Sequence, residues 1–284
     1  MKFLLFGTGD YYERYKKWFD RETVQALLDN APEKQNTEID GVPVYSPAEG
    51  VKKSYDAVVI LSFYVKAMKE QLRELGVSEN RIFHFYDLHR LIDVKARKMP
   101  ALFYGGAESV IRDGDGAENR ILLLSHDMNL GGPSLALYHM AETLTAQGFS
   151  VVFASMIDGP LRARLLQAGI PVVVDANLQV AVMDDIEWIR NVSRIVCNTL
   201  NYHVFLSRRD TAVPVLWWLH DAAFFYEGAD RALLCGLDTE NLEIVSVGPV
   251  PRRAIGAYLP DIAVGTLLYG VGDEAAAEIV GTKK

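Results

Sequence analysis

The chain has little of what marks several common protein classes. Among its 284 residues are only two cysteines, Cys197 and Cys235, which cannot build a disulfide framework and show no metal-ligand spacing. The formal net charge of −8 leaves no basic excess to displace counterions from a phosphate backbone, which argues against a nucleic-acid partner. No apolar run reaches the roughly 18 residues that span a bilayer, and no signal peptide is visible. We expect a cytoplasmic protein without a transmembrane segment.

Lysine is absent between Lys98 and Lys283, although arginine continues throughout. This change of composition lies beside the polar stretch 112–119, which contains glycine and has no apolar period. At roughly 150 residues per domain, the length allows about two domains. We therefore predict a small first domain at 1–95, a linker at 96–119 and a larger second domain at 120–284.

Strand-like and helix-like segments alternate in both halves. Buried-type apolar runs at 3–6, 57–61 and 121–125 stand between helical patterns, two of which are predicted at 132–147 and 182–190. Such alternation indicates parallel sheets covered by helices. The predicted fold class is α/β, with two Rossmann-like doubly wound parallel-sheet domains in tandem.

The first half contains a glycine turn at the place where a strand gives way to a helix. Gly7 and Gly9 lie there, and the amides and positive end of the following helix suit an anion. Asp29 follows about 20 residues later at a strand end, where its carboxylate could bind ribose hydroxyls. Tyr12 occupies the third glycine position of the dinucleotide fingerprint, which weakens the case for NAD. The residues leave open a nucleotide or nucleotide-sugar site at Gly7, Gly9 and Asp29, or a glycine turn that is only structural.

Several segments of this half carry a resemblance. They are Phe6-Gly7-Thr8-Gly9, Leu28-Asp29-Asn30 with Pro32-Glu33-Lys34-Gln35, Ile39-Asp40-Gly41-Val42-Pro43-Val44 and Tyr55-Asp56-Ala57-Val58-Val59-Ile60. Over residues 1–90 the chain resembles the small Rossmann-like domain found beside sugar-modifying enzymes, and is similar to the N-terminal nucleotide-sugar-binding domain of sugar acyltransferases. The resemblance implies the fold, and a nucleotide-sugar as ligand.

The second half has a longer strand-to-helix loop, Ser125 to Ser134. Its adjacent glycines, Gly131 and Gly132, allow close approach of a ligand to the backbone, and Pro133 suits a first helical turn because its missing N–H is not needed there. A loop of this build can hold a phosphate or sugar hydroxyls at the helix N-terminus.

The same loop begins a second resemblance, which spans roughly 120–270. The segments that carry it are Leu135 to Leu144, Gly148 to Val152, Gly159-Pro160-Leu161 with Leu165, Gly169-Ile170-Pro171-Val172, Cys197-Asn198-Thr199 and Trp217-Trp218-Leu219-His220-Asp221. Here the chain is similar to the N-terminal half of retaining glycosyltransferases of the GT-B fold, family-4 type. The resemblance implies a nucleotide-sugar donor and a glycan-type acceptor of the kind found in polysaccharide biosynthesis, with no separate cofactor.

His220 is the candidate catalytic residue. It ends the apolar strand 213–219 and should project into the crevice at the carboxyl ends of a parallel sheet. The resemblance implies that it lies near the transferred sugar, where it can stabilise charge in an oxocarbenium-like transition state. The candidate substrate-binding residues are Gly131, Gly132, His126, Asn198 and Glu227. No metal site is expected, because the other histidines show no zinc spacing.

The resembled family also has a second, donor-binding half with a pair of glutamates spaced E-x7-E, a spacing that this sequence lacks. Residues 268–273 look like the hinge that leads into that half. The expectation from the resemblance is a glycosyltransferase fragment that lacks its C-terminal GT-B half and is inactive alone. Two alternatives stay open, namely a non-catalytic nucleotide-sugar or dinucleotide-binding protein, and a scaffold protein with no small-molecule ligand.

Overall fold

The computed structural model describes residues 1–93, 96, 98–113 and 117–270, and the chain divides into two units, Met1–Asp93 and Val94–Lys284. Both units are α/β, as predicted, and each is built on a mostly parallel sheet flanked by helices. Within the described ranges, no helix has both the length and the apolar character needed to cross a membrane.

The first unit has a six-stranded sheet in the order β3-β4-β2-β1-β5-β6, parallel except for the β3–β4 pair. Its elements are β1 (Phe3–Phe6), α1 (Asp10–Tyr15), β2 (Val24–Leu28), β3 (Glu38–Ile39), β4 (Val42–Tyr45), α2 (Pro47–Gly50), β5 (Ala57–Ile60), α3 (Val65–Glu74), β6 (Ile82–His84) and α4 (Leu88–Leu91). The central strands β1 and β5 are buried at every residue, because helices cover both faces of a parallel sheet.

The second unit has an eight-stranded sheet in the order β14-β13-β12-β11-β8-β9-β10-β7. Its elements are β7 (Leu102–Tyr104), α5 (Ala107–Arg112), β8 (Arg120–Ser125), α6 (Gly132–Ala146), β9 (Ser150–Ser155), α7 (Leu161–Gln167), β10 (Val172–Val174), β11 (Arg194–Asn198), α8 (His203–Leu206), β12 (Val215–Leu219), α9 (Arg231–Cys235), β13 (Leu242–Ser246), α10 (Pro249–Gly256) and β14 (Val264–Thr266). Only the edge strand β7 runs antiparallel, against β10.

Alternate residues of β8 enter two different cores. Ile121 and Leu123 pack in a cluster with residues of α6 and α7, whereas Leu122 and Leu124 pack in a cluster with residues of α5, α8, α9 and α10. This division follows from the two-residue period of a strand, and it shows that helices cover both faces of the sheet. The second unit is therefore doubly wound, as the sequence predicts.

Three helices end in the same way. Gly76, Gly148 and Gly169 have φ between +75° and +88°, directly after α3, α6 and α7. In each case the glycine N–H and the next residue's N–H bond back to the last turn, as in the pair Gly148 N to Thr145 O and Phe149 N to Leu144 O. This is the Schellman motif, in which glycine takes a conformation that costs other residues free energy.

Two segments differ from the sequence prediction. The helix predicted at 182–190 is wrong, because the structure has a short 3₁₀ turn at Met183–Asp185 followed by extended backbone at Ile186. The indole of Trp188 donates to the buried carboxylate of Asp175 at 2.7 Å, and this tertiary contact holds the segment out of helical geometry. The buried residues Met183, Ile186 and Ile189 produced the helix-like spacing.

The segment 96–119, predicted as a linker, contains β7 and α5 in the structure. Leu102 to Tyr104 pair with Val174 to Val172, and this strand is too short for its apolar character to stand out in the sequence. Residues 97 and 114–116 of that segment lie outside the described residues, as do 271–284 of the predicted second domain and hinge.

Candidate functional site: the crevice at the ends of β8, β11 and β12

The sheet order of the second unit places a crevice between β8 and β11. These strands are neighbours in the sheet, but the chain leaves β8 toward β9 on one side and returns to β11 on the other. In open parallel sheets, ligands bind at such a switch point, outside the carboxyl ends of the strands. The loop after β8, the turn after β11 and the residues after β12 border this point.

The loop after β8 is organised by the carboxylate of Asp127. It accepts the Ser134 hydroxyl at 2.8 Å, the Asn129 backbone N–H at 3.1 Å and the Asn129 side-chain amide at 2.8 Å. Burial alone would raise the pKa of Asp127, but the neighbouring His126 and these donors outweigh it and hold the pKa below its usual value. Asp127 therefore stays ionised and fixes the loop against the first turn of α6.

The sequence reasoning missed Asp127. The sequence does contain a signal for it. An aspartate two residues before Asn129 has the spacing of an Asx turn, in which the aspartate side chain accepts the backbone N–H two residues on.

Gly131 and Gly132 lie exposed at the N-terminus of α6. Gly131 is the N-cap and has no side chain to satisfy the first amides of the helix. A Cβ added to either glycine would meet no atom within 4 Å, so the space beside both residues is open. The predicted glycine pair is thus accessible, at the end of the helix where anions are favoured.

His220 follows β12 at the same edge of the sheet. Its ring lies 4.8 Å from the ring of Trp218, and its buried Nε2 has no hydrogen-bond partner among the described residues. Burial, with a smaller effect from His126, lowers the pKa of His220 to about 4. His220 is therefore neutral at pH 7 and can donate or accept a hydrogen bond but does not supply a positive charge.

Asn198 ends β11 and reaches the start of α6. Its side-chain amide donates to the carbonyl of Pro133 at 2.7 Å, whereas its buried Oδ1 has no partner within the described part of the chain. Asn198 pairs in register with Trp218, and His220 lies two residues further along the same strand direction. Asn198 and His220 consequently share the α6 side of the sheet.

His126, the last of the predicted ligands in this loop, is partly exposed, and its Nε2 lies 3.6 Å from Asp127 Oδ2. His126 is also the smaller of the two causes that lower the pKa of His220. Glu227 is placed differently, as an exposed residue of the 3₁₀ helix Ala223–Gly228. No hydrogen bond or ion pair that the structure describes joins Glu227 to the crevice.

Two further residues at this edge were not foreseen from the sequence, Thr199 and Asp221. Thr199 is buried and has φ +70° and ψ 164°, a region that is essentially reserved for glycine. Asp221 is also buried, and its carboxylate accepts the Leu200 N–H at 2.7 Å. Burial raises the pKa of Asp221 to about 6, although backbone N–H groups bonded to it act in the opposite direction.

In the first unit the carboxylate of the predicted ligand Asp29 is engaged in hydrogen bonds within the protein. Asp29 accepts from the Thr8 side chain, from the Ala31 N–H at 2.9 Å and from Lys34 Nζ at 3.4 Å. Burial opposes ionisation of Asp29, but these donors together hold its pKa below the usual value. Gly7 adopts φ +110°, and Gly9 is the N-cap of the short helix α1. The structure thus brings Asp29 to the glycine turn and engages its carboxylate within the protein.

Across the described residues, no group of three or more His, Cys, Asp or Glu side chains is arranged to hold a metal ion.

Two protein families match parts of the chain. Residues 1–83 match the family described as C2185-like, N-terminal. Residues 117–237 match the family described as Glycosyl-transferase family 4, and this segment runs from just before β8 to the end of α9. A comparison with curated proteins gives no match. The second match includes the whole crevice from His126 to Asp221, and it supports a glycosyltransferase-type domain in the second unit.

Proposed function

We propose that the second unit takes part in the transfer of a sugar from a nucleotide-sugar donor to a hydroxyl group of a glycan-type acceptor, with retention of configuration at the anomeric carbon. One observation carries the proposal. His126, Asn198 and His220, from three adjacent strand ends, share a crevice edge with the open glycine pair of α6, inside the segment that matches glycosyl-transferase family 4.

Each group in the crevice has chemistry that suits such a substrate. The first amides of α6, at Gly131 and Gly132, favour the negative charge of a phosphate. The unpartnered Oδ1 of Asn198 can accept a hydrogen bond from a sugar hydroxyl. The neutral ring of His220 can bond to a hydroxyl or a phosphate oxygen without adding charge to the buried site.

In the proposed reaction the bond between the anomeric carbon and the phosphate oxygen breaks, and its electron pair leaves with the nucleoside diphosphate. The acceptor hydroxyl oxygen forms the new glycosidic bond, and its proton passes to the departing phosphate or to water. Positive charge develops on the sugar ring in between, so fixed dipoles lower the barrier when they already point at the reacting atoms. His220 and Asn198 supply such dipoles, and the α6 amides stabilise the leaving phosphate.

The proposal is tested by titrating the protein with UDP-glucose, GDP-mannose and ADP-glucose in a calorimeter. We expect one of them to bind, and His220→Gln to weaken that binding about tenfold, the effect of losing one hydrogen bond to a charged or polar ligand. His89→Gln is the matched control, because His89 lies in the first unit and its ring bonds to the Tyr86 carbonyl. Failure of all three donors to bind, or equal loss in both variants, would contradict the proposal.

The predicted nucleotide site of the first unit stays a prediction. Asp29 would have to exchange its bonds with Thr8, Ala31 and Lys34 for bonds with a ribose, which gives no net gain in hydrogen bonding. Our proposal therefore assigns the donor to the crevice of the second unit.

A further inference from the structure

The turn after β11 is held in a conformation that threonine disfavours. At φ +70° and ψ 164°, the Cβ of Thr199 is crowded by the backbone, and β-branched residues rarely adopt this region. Such a conformation persists only where surrounding contacts fix it from several sides. The turn directly follows Asn198, so the direction of the Asn198 side chain depends on it.

Contacts from β12 hold the turn. The Thr199 N–H donates to the Trp218 carbonyl at 2.9 Å, and the Trp217 indole N–H donates to the Thr199 carbonyl at 2.8 Å. The next residue, Leu200, donates its N–H to Asp221 Oδ2 at 2.7 Å. Three residues of β12 and its continuation, Trp217, Trp218 and Asp221, thus fix both sides of the Thr199 peptide unit.

Asp221 differs from the two tryptophans because its contact joins the turn to the residue next to His220. Its buried carboxylate accepts the N–H of Leu200 across the turn, and its own backbone follows directly on from His220. One side chain therefore joins the residue after Thr199 to the residue directly after His220. Of the two crevice residues, Asn198 lies two positions before Leu200, and His220 lies one position before Asp221.

We propose that Asp221 is a positioning residue, whose carboxylate holds the strained Thr199 turn and the backbone beside His220 together so that Asn198 and His220 face the same ligand. The identity of the ligand rests on the function proposed above. The link between Asp221 and the Thr199 turn rests on contacts within the chain. Asp221 touches no substrate in this arrangement and acts only through its two neighbours.

The test compares Asp221→Asn with Asp210→Asn in amide hydrogen exchange and in donor binding. Asp210 is a matched control, because its Oδ1 also accepts a backbone N–H two residues on, that of Ala212 at 2.9 Å, but it lies exposed and outside the crevice. We expect Asp221→Asn to speed exchange of the Leu200 amide about tenfold or more and to weaken nucleotide-sugar binding about tenfold, whereas Asp210→Asn changes neither.

Thr199→Gly separates positioning from a general structural role. Glycine adopts the native φ and ψ without strain, so the turn should keep its shape with less need of Asp221. We expect the double variant Thr199→Gly with Asp221→Asn to bind the donor within about threefold of Thr199→Gly alone, and to fold even where Asp221→Asn does not. A residue that merely supported the fold would not be rescued in this way.

Three results would overturn the proposal. They are an unchanged Leu200 amide in Asp221→Asn, wild-type affinity in that variant, and failure of Thr199→Gly to restore binding or folding. If the wild-type protein binds none of the three donors, the proposed function fails, and the Leu200 exchange rate together with the folding of the double variant still decides the role of Asp221.

Discussion

The hydroxyl of Tyr202 donates to the main-chain carbonyl of Ser125 at 2.8 Å, and both residues are fully buried. The bond ties the 3₁₀ turn after β11 to the last residue of β8, across the switch point of the sheet. It therefore holds together the two sides of the crevice in which the candidate ligands lie.

Tyr202→Phe should destabilise the protein by about 1–2 kcal/mol, because the Ser125 carbonyl loses a buried donor. Urea denaturation measures the loss. Tyr258→Phe is the control, since the Tyr258 hydroxyl is only partly buried and bonds to the Tyr226 carbonyl at 3.3 Å. We expect a smaller effect there, and equal losses in the two variants would contradict the importance of the Tyr202 bond.

Gly7→Ala should cost more than about 2 kcal/mol of folding free energy. Gly7 has φ +110°, and an added Cβ would lie 2.6 Å from the Leu61 carbonyl oxygen, which belongs to the backbone and cannot move aside cheaply. Gly9→Ala is the matched change in the same turn, with nothing within 4 Å of the added Cβ. Thermal unfolding of the pair should show a large difference; two similar melting temperatures would refute the close approach of the Gly7 and Leu61 backbones.

The imidazole of His220 should stay neutral down to about pH 4, where its lowered pKa lies. Its unfolded pKa is near 6.5, so the unfolded chain takes up a proton first as the pH falls. The stability that His220 contributes is present above pH 6.5 and is lost as the pH falls toward 4. NMR titration of the ring measures the pKa directly. A His220 midpoint near 6.5 would disprove the burial argument.

The stability contributed by Asp221 should change with pH in the opposite direction to that of His220. Its pKa is raised to about 6 in the folded protein from 3.8 unfolded, so the folded chain binds the proton first. Its stabilising contribution is full below about pH 3.8 and is lost as the pH rises through 6. The difference in unfolding free energy between the wild type and Asp221→Asn should therefore fall from pH 4 to pH 6.5. Denaturant unfolding at several pH values checks this, and a difference that does not change with pH would contradict it.

Asp29→Asn should destabilise the first unit by about 1–2 kcal/mol, because the donors on Thr8, Ala31 and Lys34 lose a charged acceptor. The loss should disappear on acidification, since the lowered pKa makes the carboxylate stabilising only above its folded pKa. Asp40→Asn is the control, because Asp40 pairs with Lys16 at the surface, where solvent screens the interaction. Guanidinium unfolding at neutral and acidic pH measures both variants, and equal losses at the two pH values would contradict the role of the charge.

Much of the fold was predictable because its signals are local. The apolar runs of β1, β5 and Ile121 to Leu124 in β8 are long enough to indicate buried parallel strands. Glycine after α3, α6 and α7 marks where each helix ends, since only the local backbone decides that conformation. The helix predicted at 182–190 was wrong for the converse reason. The bond from Trp188 to Asp175 is a tertiary contact, and the spacing of apolar side chains gives no sign of it.

The sequence by itself determined the fold class and the candidates at strand ends, because parallel strands place their carboxyl ends at one edge whatever the details of packing. Only the tertiary structure decided which candidates share the crevice and which protonation state each of them has. Pairing of β11 with β12 sets Asn198 and His220 on one side of the sheet, whereas Glu227 lies exposed on the 3₁₀ helix beyond β12. Burial then lowers the pKa of His220 and raises that of Asp221, and burial depends on neighbours that are distant in the chain.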